Sequence, residues 1–576
     1  MSASPPDTDG NKSADTDIHK TTSPGTLTRL VLKLRSTWQL IREKGPSELQ
    51  FWFIALVIGI ASGFAALLFR KGILLLQETV YGAEDASLIH SWAEMLPWYW
   101  LLTVPILGGL AVGIILDRFT PDGRVRSVAD VIEGAALNNG RVEKREGLAS
   151  AVASLITLGT GGSSGREGPV VHLAGVIATW VSDKMGANGI TARDLLGCAV
   201  AAAVSASFNA PIAGALFALE VVLRHFALHA FAPIVIASVA GTVISRIEFG
   251  DAAEFQLPMA RLLEFYVELP AFLLLGLLCG GVAAVFMRGT LLAEDVANTV
   301  QSRLSLPRWL RPAVAGALLG GIAIWFPHII GVGYETTLAA LTGQLLLHEA
   351  IVFAAIKVVA AAVTIGGRMG GGVFSPSLMI GAMTGLAFGL IATGLLPEIS
   401  GTPMVYALAG MGAVAAAVLG APISTTLIVF ELTGNWQIGI AVMVAVSTST
   451  ALGSRLVTRS FFLTQLERRG VHLAAGPHAY LLSTYQVSRV MRSRDDERAA
   501  DEEQCWSYIE NGTYIDASAT LEDAMPVFDR TGAPFLPVVR LTGKEARPDL
   551  VGALFHVDAL RAYNRALAEV SEEEHS

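Results

Sequence analysis

The stretch that decides the fold is Gly161-Gly-Ser-Ser-Gly-Arg-Glu-Gly-Pro169. It is a glycine-rich loop that ends in a proline, which predicts that a helix starts at Pro169. Glycines let backbone N–H groups converge there, and the positive end of the helix dipole adds to their attraction for an anion. Gly371-Gly-Val-Phe-Ser-Pro376 repeats the pattern. The two stretches therefore predict two helix starts that hold one anion without trapping it.

The composition of the 576 residues is typical of a protein that has lipid as its solvent. Hydrophobic residues make up 52% of the chain, charged residues make up 16%, and the mean hydropathy is +0.52. Soluble domains carry about 25% charged residues. The apolar residues form dense blocks between about Leu49 and Leu456, which predicts many membrane spans. The net charge of -9 comes from acidic residues near the C-terminus, and nothing indicates nucleic acid as a partner.

The basic residues predict the orientation of the spans. Residues 1–45 combine a polar stretch with a run of Lys and Arg, so we expect a disordered cytosolic tail followed by a basic helix. The stretch from Gly72 to Asp117 holds no Lys or Arg and is expected outside. The loop from Arg118 to Glu146 is rich in Arg and is expected in the cytosol. We therefore predict an inner-membrane protein with both termini in the cytosol.

Two segments of the chain resemble each other. Asn209-Ala-Pro-Ile-Ala-Gly-Ala-Leu-Phe-Ala-Leu-Glu220 and Gly420-Ala-Pro-Ile-Ser-Thr-Thr-Leu-Ile-Val-Phe-Glu431 keep Ala-Pro-Ile and Glu at the same spacing. This predicts two related halves, about 50–250 and 262–470, with a binding site between them. Several blocks are shorter than a span of about 20 residues, which predicts half-helices or steeply tilted helices beside a transport path. These blocks are Val170–Val181, Pro211–Leu223 and Pro422–Leu432.

At these motifs the chain resembles the CLC family of chloride channels and chloride/proton antiporters, as a bacterial member. Gly165-Arg-Glu-Gly-Pro169 and Gly372-Val-Phe-Ser-Pro376 match two pore motifs of the family, and the resemblance spans roughly 46–470. It implies an all-α polytopic fold of two inverted-topology repeats with tilted and broken helices, and a homodimer with one pore per subunit. It also implies chloride, and in some members protons, as transported ligands. The anion-binding residues that it implies are Arg166, Glu167, Gly168, Val373 and Phe374.

Glu167 is the gate that the resemblance implies. A carboxylate beside an anion site competes with the ion as a tethered anion, and its protonation or movement opens the path. A charged residue at mid-membrane costs about 2.5 to 3.5 kcal/mol on insertion scales, so Glu167 is expected to be functional. The alternative is a structural pair between Arg166 and Glu167, which adjacent side chains are poorly placed to form.

Three positions on the inner side depart from the family pattern. Ser127 aligns with the serine that contacts the central anion, but Arg126-Ser-Val-Ala-Asp130 replaces the usual motif, so an ordinary loop serine is the alternative. Phe462 stands where a tyrosine closes the inner end of the pore, and Phe has no hydroxyl to donate. Val221 stands where antiporters carry a proton-accepting glutamate. We therefore predict channel-like or weakly proton-coupled chloride transport, with Glu220 or water as a substitute proton route in the antiporter alternative.

The remaining polar residues have simpler interpretations. Glu220 and Glu431 are expected to cap or pair at buried helix ends. Arg368 either adds positive potential near the path or lies at the surface. The histidines His172, His225 and His229 lack metal-ligand spacing and are expected to be satisfied structural residues. No metal site, and no disulfide among the three cysteines, is expected.

A remote alternative is an intramembrane serine protease, because Gly162-Ser-Ser-Gly165 matches a Gly-x-Ser-Gly motif. A serine nucleophile needs a base within reach, which His225 or His229 could supply. This alternative leaves Arg166, Glu167 and the second glycine-rich stretch unexplained. We therefore expect a protein that is not an enzyme.

After about Arg469 the composition becomes that of a soluble domain. Alternating β and α patterns over 471–576 resemble a single CBS module. Such modules usually work in pairs, so either the second is eroded or two subunits supply one each. An adenine nucleotide at this domain is the one cofactor hypothesis that the sequence raises, and the single unit counts against it.

Overall fold

A computed structural model describes residues 47–83, 88–226, 228–250, 265–398, 400–471, 473, 482, 485–494, 496, 498–540 and 549–575. The statements below refer to these residues. The predicted tail over 1–45 and the predicted junction between the two halves lie outside them.

The first half of the chain is entirely helical among the described residues. Its helices are α1 (Glu48–Tyr81), α2 (Ile89–Glu94), α3 (Trp98–Phe119), α4 (Val128–Ala136), α5 (Lys144–Gly159), α6 (Glu167–Met185), α7 (Gly189–Phe208), α8 (Pro211–Phe217), which continues as a π-helical turn (Ala218–Leu223), and α9 (Leu228–Phe249).

The second half repeats the same all-helical character. Its helices are α10 (Phe265–Arg303), α11 (Arg311–Trp325), α12 (Tyr334–Leu341), α13 (Leu347–Gly366), α14 (Phe374–Leu395), α15 (Pro403–Leu419), α16 (Pro422–Thr433), α17 (Trp436–Leu456) and α18 (Phe461–Arg468), with short 3-10 turns at Arg308–Leu310 and Pro327–Ile329.

Eight helices within the described residues are long and apolar enough to cross a membrane. This confirms the multi-pass fold. Two of the blocks predicted as half-helices are short: α8 with its π-helical turn covers 13 residues, and α16 covers 12, about 20 Å and 18 Å of rise. The third block is part of α6, which has 19 residues, so it is not a half-helix, and the other predicted form, a steeply tilted helix, stays a prediction.

The glycine-rich loops lead into helices two residues earlier than predicted. Helix α6 begins at Glu167 and α14 begins at Phe374, so Pro169 and Pro376 are each the third residue of a helix. A proline is tolerated anywhere in the first turn, because the N–H that it lacks has no partner within the helix there. The proline therefore marks the first turn and not its first residue.

The two Ala-Pro-Ile segments occupy matching places in the fold. The helix before each one ends in a left-handed residue, Asn209 at φ 57° and Gly420 at φ 70°. Proline then opens the next helix, at Pro211 in α8 and Pro422 in α16. The sequence repeat therefore corresponds to a structural repeat, as the resemblance implies.

Each repeat caps the short helix of the other with a glutamate. Glu220 accepts hydrogen bonds from the backbone N–H groups of Ile423 at 2.9 Å and Ser424 at 2.8 Å. Glu431 accepts from Ile212 at 3.0 Å and Ala213 at 2.8 Å. These N–H groups are in first turns, where they have no partner within their own helix. The interpretation of both glutamates as helix caps is confirmed, and the cap is exchanged between the halves.

The C-terminal part has a small α/β fold around a four-stranded sheet. The strands lie in the order β1 (Arg492–Ser493), β4 (Asp549–Phe555), β3 (Phe535–Arg540) and β2 (Ile515–Asp516). Strands β3 and β4 are antiparallel and β2 runs parallel to β3. The apolar core includes Val487, Phe528, Leu536 and Leu554. This agrees with the predicted CBS-like alternation. Its elements are α19 (Val487–Val490), β1 (Arg492–Ser493), α20 (Glu502–Glu510), β2 (Ile515–Asp516), α21 (Leu521–Thr531), β3 (Phe535–Arg540), β4 (Asp549–Phe555) and α22 (His556–His575).

The exchanged cap gives a testable expectation for stability. Replacement of Glu431 by Ala removes the acceptor for two first-turn N–H groups of α8, and bonds to a charged acceptor contribute about 1.5 to 3 kcal/mol each. We expect the Glu431→Ala variant to unfold in detergent several degrees below the parent protein. Glu248→Ala is the matched control, because Glu248 forms an exposed ion pair with Lys71 that contributes about 0 to 1 kcal/mol. Equal melting temperatures for Glu431→Ala and Glu248→Ala would contradict the role of the cap.

Candidate functional site

The two glycine-rich loops are joined by a pair of backbone hydrogen bonds. The N–H of Gly165 donates to the carbonyl of Gly372 at 2.7 Å, and the N–H of Gly372 donates to the carbonyl of Gly165 at 2.8 Å. A side chain on Gly168 would begin 3.3 Å from the Cα of Gly372, so glycine is what allows this approach. The starts of α6 and α14 therefore lie side by side, as the sequence predicts.

A small cavity of about 30 Å³ lies where these helix starts meet. A water molecule needs about 10 to 15 Å³ by the same measure, so the cavity holds two or three particles of that size and not a hydrated ion. Six of the seven predicted site residues line it, and Arg166 does not. The lining residues are Ser127, Val128, Glu167, Gly168, Val171, Val204, Phe217, Ile365, Gly371, Gly372, Val373, Phe374, Phe461, Phe462 and Gln465.

Four helix N-termini contribute to the lining of the cavity. Helices α4, α6, α14 and α18 all have residues of their first turn or N-cap in it. Each helix start carries a partial positive charge from the helix dipole and from N–H groups without a partner in the helix. The lining contains no Lys or Arg among the described residues. Such a site attracts an anion through partial charges, which allows the anion to leave again.

Glu167 is the single acidic residue among the lining residues described, and its side chain is 1% exposed. Its Oε1 accepts a hydrogen bond from the Ser375 hydroxyl at 2.5 Å. Ser375 belongs to the first turn of α14, so the carboxylate of α6 is held at the start of the opposite helix. The carboxyl group of Glu167 thus lies in the cavity at the starts of both helices.

Arg166 does not line the cavity, so the lining gives no support to its predicted role as an anion ligand, which stays a prediction. Its Nη2 donates to the carbonyl of Ser207 at 2.9 Å, and its guanidinium carbon lies 5.0 Å from the centre of the Tyr334 ring. Ser207 is in the last turn of α7, where the negative end of the helix dipole favours a cation. The Nε of Arg166 is also 4.0 Å from Oε1 of Glu167. The expectation that these adjacent side chains would not face each other is therefore wrong, although the contact is a long one.

Ser127 is the N-cap of α4 and lines the cavity, so it is not a serine of a loop remote from the site. Its backbone N–H donates to Oδ2 of Asp130 at 2.7 Å. The other oxygen of Asp130 accepts from Arg469 at 2.8 Å, just beyond the end of α18. This ion pair links α4 and α18, whose starts contribute Ser127 and Phe462 to the cavity.

A charged network fixes the loop that leads to Ser127. Asp122 accepts hydrogen bonds from Arg124 at 2.7 Å and from Arg126 at 2.9 Å. Burial by itself would raise the pKa of the Asp122 carboxyl, but the bonds and charges of Arg126 and Arg124 outweigh burial and hold the pKa well below its usual range. Asp122 therefore stays charged throughout the neutral and mildly acidic range. Arg368 donates to the carbonyl of Asp122 at 3.0 Å and does not line the cavity. It therefore helps to hold this loop in place.

The departures from the family pattern at Phe462 and Val221 supply no titratable or hydroxyl side chain. Phe462 is 4% exposed and lies in the lining beside Phe461. Val221 is buried in the π-helical turn. Glu220, the neighbour of Val221, accepts its hydrogen bonds from the start of α16, so its carboxylate is already engaged in a structural role.

Two further predictions concern serine and histidine. Ser163 and Ser164 are fully buried, and their hydroxyls have no hydrogen-bond partner in the part of the chain that the structure describes. His229 lies 3.4 Å from Asp194 instead. The protease alternative therefore gains no support. His172 is fully buried with both ring nitrogens lacking a partner among the described residues, so the expectation that it is a satisfied histidine is wrong.

Sequence reasoning missed Ser375, which holds Glu167, and Gln465, which lines the cavity. Ser375 is in a quoted motif, and a hydroxyl in the first turn of an otherwise apolar helix is a signal for it. Gln465 follows Phe461 by one helical turn, so a projection of α18 would have placed both on one face. The contact between Ser375 and Glu167 could not be predicted from the sequence, because the two residues are 208 positions apart.

Fold and site together define a class: a polytopic membrane protein of two inverted halves that transports an anion. Residues 108–454, more than half of the chain, match the voltage gated chloride channel family. The chain belongs to this family, the CLC family that its motifs resemble, and CLC-family chloride transport is its function.

Relatives and solved structures agree with this assignment. A ClcB-like chloride channel protein of Ralstonia nicotianae is 33% identical over 399 residues, which cover 69% of this chain and 91% of the relative. The fold is similar to that of a slow cyanobacterial Cl-/H+ antiporter, with a TM-score of 0.64 and 24% identity over 74% of this chain and 98% of the other. It is also similar to a eukaryotic CLC transporter, with a TM-score of 0.63 and 17% identity over 91% of this chain and 98% of the other.

The Ser375 contact gives a testable expectation. Ser375→Ala removes a hydrogen bond that holds the Glu167 carboxylate, and such a bond to a charged group contributes about 1.5 kcal/mol or more. We expect chloride flux at neutral pH to rise by about tenfold or more, because the tethered carboxylate leaves more easily. Efflux of chloride from proteoliposomes measures it.

The matched control is Ser377→Ala, two residues further along α14. Its hydroxyl is equally buried and donates to the carbonyl of Phe374. A flux that is unchanged in Ser375→Ala, or raised to the same extent in Ser377→Ala, would show that Ser375 does not hold the gate.

Proposed function

We propose that chloride crosses this protein through the cavity between α6 and α14, with the carboxylate of Glu167 as its gate. The observation that carries the proposal is the position of Glu167: it lies in a cavity lined by four helix starts and is held there by Ser375. The carboxylate and a chloride ion compete for the same partial positive charges. Anions pass when Glu167 takes up a proton or swings away.

We further propose that the transport is channel-like or only weakly coupled to protons. Phe462 offers no hydroxyl at the inner end, Val221 cannot titrate, and Glu220 is engaged with α16. A proton that reaches Glu167 from outside therefore meets no acceptor at the positions where antiporters have one. The competing function is chloride/proton antiport through a non-standard internal route, which is favoured by the likeness to a structure described as a Cl-/H+ antiporter.

The proposed setting is a homodimer in the inner membrane with both termini in the cytosol. Three apolar side chains, Ile212, Ile423 and Trp436, are exposed on α8, α16 and the start of α17. Helices α8 and α16 are too short to cross the bilayer and face lipid over its whole thickness. A second copy of the chain would cover this surface, as in the dimer that the family resemblance implies.

Proton coupling is the decisive test. An outward chloride gradient is imposed on proteoliposomes that contain the purified protein, while chloride and pH are recorded in the same sample. We expect chloride to move with little or no uphill proton movement, because the internal acceptor is missing. Glu167→Ala provides the reference for chloride movement without protons. Proton movement in a fixed ratio to chloride would refute weak coupling and establish the antiporter.

The pH response of flux tests the gate. We expect the flux of the parent protein to rise as the pH is lowered from neutral towards about pH 4.3, the ordinary pKa of a Glu carboxyl, because the carboxylate takes up a proton. In Glu167→Gln the response should be lost, because the side chain carries no charge at any pH. Glu268→Gln is the control, since Glu268 is equally buried but accepts from Tyr406 away from the cavity. A pH response that persists in Glu167→Gln would remove Glu167 as the gate.

A further inference from the structure

A cluster of His90, Glu94 and His328 lies on a surface that the anion path does not use. One ligand atom from each residue lies within 4.8 Å of the other two. His90 and Glu94 are four residues apart on α2, so they share a face of that helix. His328 comes from the 3-10 turn Pro327–Ile329, far away in sequence. The cluster thus joins two separate segments of the chain.

The two imidazole rings are packed in place. The ring centres of His90 and His328 are 4.3 Å apart, with an angle of 29° between the planes. His328 stacks on its other side against Phe353, with centres 4.1 Å apart. The Nδ1 of His328 is buried and has no hydrogen-bond partner among the described residues. His328 therefore has a ring nitrogen that makes no hydrogen bond to the described residues and is available to a ligand.

Glu335 orients His90. Its Oε2 lies 2.8 Å from the backbone nitrogen of His90 and 2.9 Å from Nδ1 of the ring, and Ser91 also donates to this carboxylate. The ring contact is a close approach and not a hydrogen bond. A His90 ring that carries its proton on Nδ1 keeps the lone pair of Nε2 for a ligand. A carboxylate that fixes a histidine in this way is the usual outer partner of a metal-binding histidine.

We propose that His90, Glu94 and His328 form a binding site for a transition-metal dication of the Zn²⁺ type, with Glu335 positioning His90. Two imidazole nitrogens and one carboxylate are a donor set that suits Zn²⁺ and leaves a fourth position for water. Ca²⁺ and Mg²⁺ require more oxygen ligands than the cluster offers. Donor atoms around tetrahedral zinc lie about 3.3 Å apart, so the cluster tightens when it binds the ion. Glu94 is exposed and is able to make that movement.

The position of the site suggests what the ion does. Helix α2 precedes the start of α3, and the Arg-rich loop follows the other end of α3, so the cluster and this loop lie on opposite sides of the membrane. Lys357 donates to the carbonyls of Ile329 at 3.2 Å and Gly331 at 3.0 Å. The same segment continues to Tyr334, whose ring packs against Arg166 beside the gate. An ion on His328 therefore stiffens a segment that contacts the neighbour of Glu167, and external Zn²⁺ should slow chloride flux. This last step rests on the proposed function.

Binding of Zn²⁺ to the purified, chelator-treated full-length protein tests the site directly. We expect one high-affinity Zn²⁺ per chain, which an excess of Mg²⁺ or Ca²⁺ does not displace. His90→Ala, His328→Ala and Glu94→Gln should each weaken binding at least tenfold, and Glu335→Gln should weaken it about 10- to 100-fold through the orientation of His90. Glu94→Gln tests the site without the risk of misfolding, because Glu94 is exposed and its replacement leaves the core unchanged. His348→Ala is the matched control, since His348 is an exposed histidine at the start of α13 outside the cluster.

The outcomes separate the site from the transport proposal. Equal Zn²⁺ affinity in the parent protein, His90→Ala and His328→Ala, or an equal loss in His348→Ala, would overturn the site. If Zn²⁺ binds at the cluster but external Zn²⁺ slows flux equally in the parent protein and Glu94→Gln, or in neither, the link to the gate is wrong. A protein that binds Zn²⁺ as expected but moves no chloride without Zn²⁺ would overturn the proposed function and leave the site standing.

Discussion

The reciprocal hydrogen bonds between Gly165 and Gly372 are the interaction on which the rest of the site depends. Both loops are non-helical backbone at membrane depth, where an unsatisfied N–H or C=O group costs several kcal/mol. Each loop satisfies the other, at 2.7 Å and 2.8 Å, so neither can be moved alone. Because α6 and α14 begin two residues after these glycines, their N-termini are fixed against each other. The cavity is the space that this pairing leaves.

The exchange of Glu220 and Glu431 is the second link between the halves, and it limits what these glutamates can do. Each carboxylate accepts from the first turn of the other repeat's short helix. A carboxylate that takes up a proton loses acceptor capacity for such N–H groups. A shuttle role for Glu220 would therefore disturb the start of α16 at each cycle. The exchange of caps between the two halves thus argues against Glu220 as the internal proton acceptor. Antiporters of the family have a glutamate for this purpose at the position of Val221.

The sequence predicted what local backbone chemistry decides and missed what depends on distant partners. Glycine-proline stretches and the repeated Ala-Pro-Ile predicted the helix starts to within two residues, since φ restrictions and missing N–H groups act within one turn. Glu220 and Glu431 were predicted to cap helix ends, but the sequence did not predict which helix each one caps. Ser375 with Glu167, Ser207 with Arg166 and His328 with His90 pair across the fold. No periodicity or spacing encodes such pairs, because they arise only when the two halves pack.

The orientation of Arg166 keeps a full positive charge out of the lining of the cavity. A guanidinium in the cavity would form charge-assisted bonds with chloride, which are about twice as strong as neutral ones, and would retain the ion. Instead its charge is directed to the carbonyl of Ser207 and the face of Tyr334. The cavity keeps the positive potential of a nearby cation and of four helix starts, while the sole full charge on its described lining is the negative one of Glu167. In the proposed gating, an entering anion replaces this like charge, and the same exchange in reverse releases it.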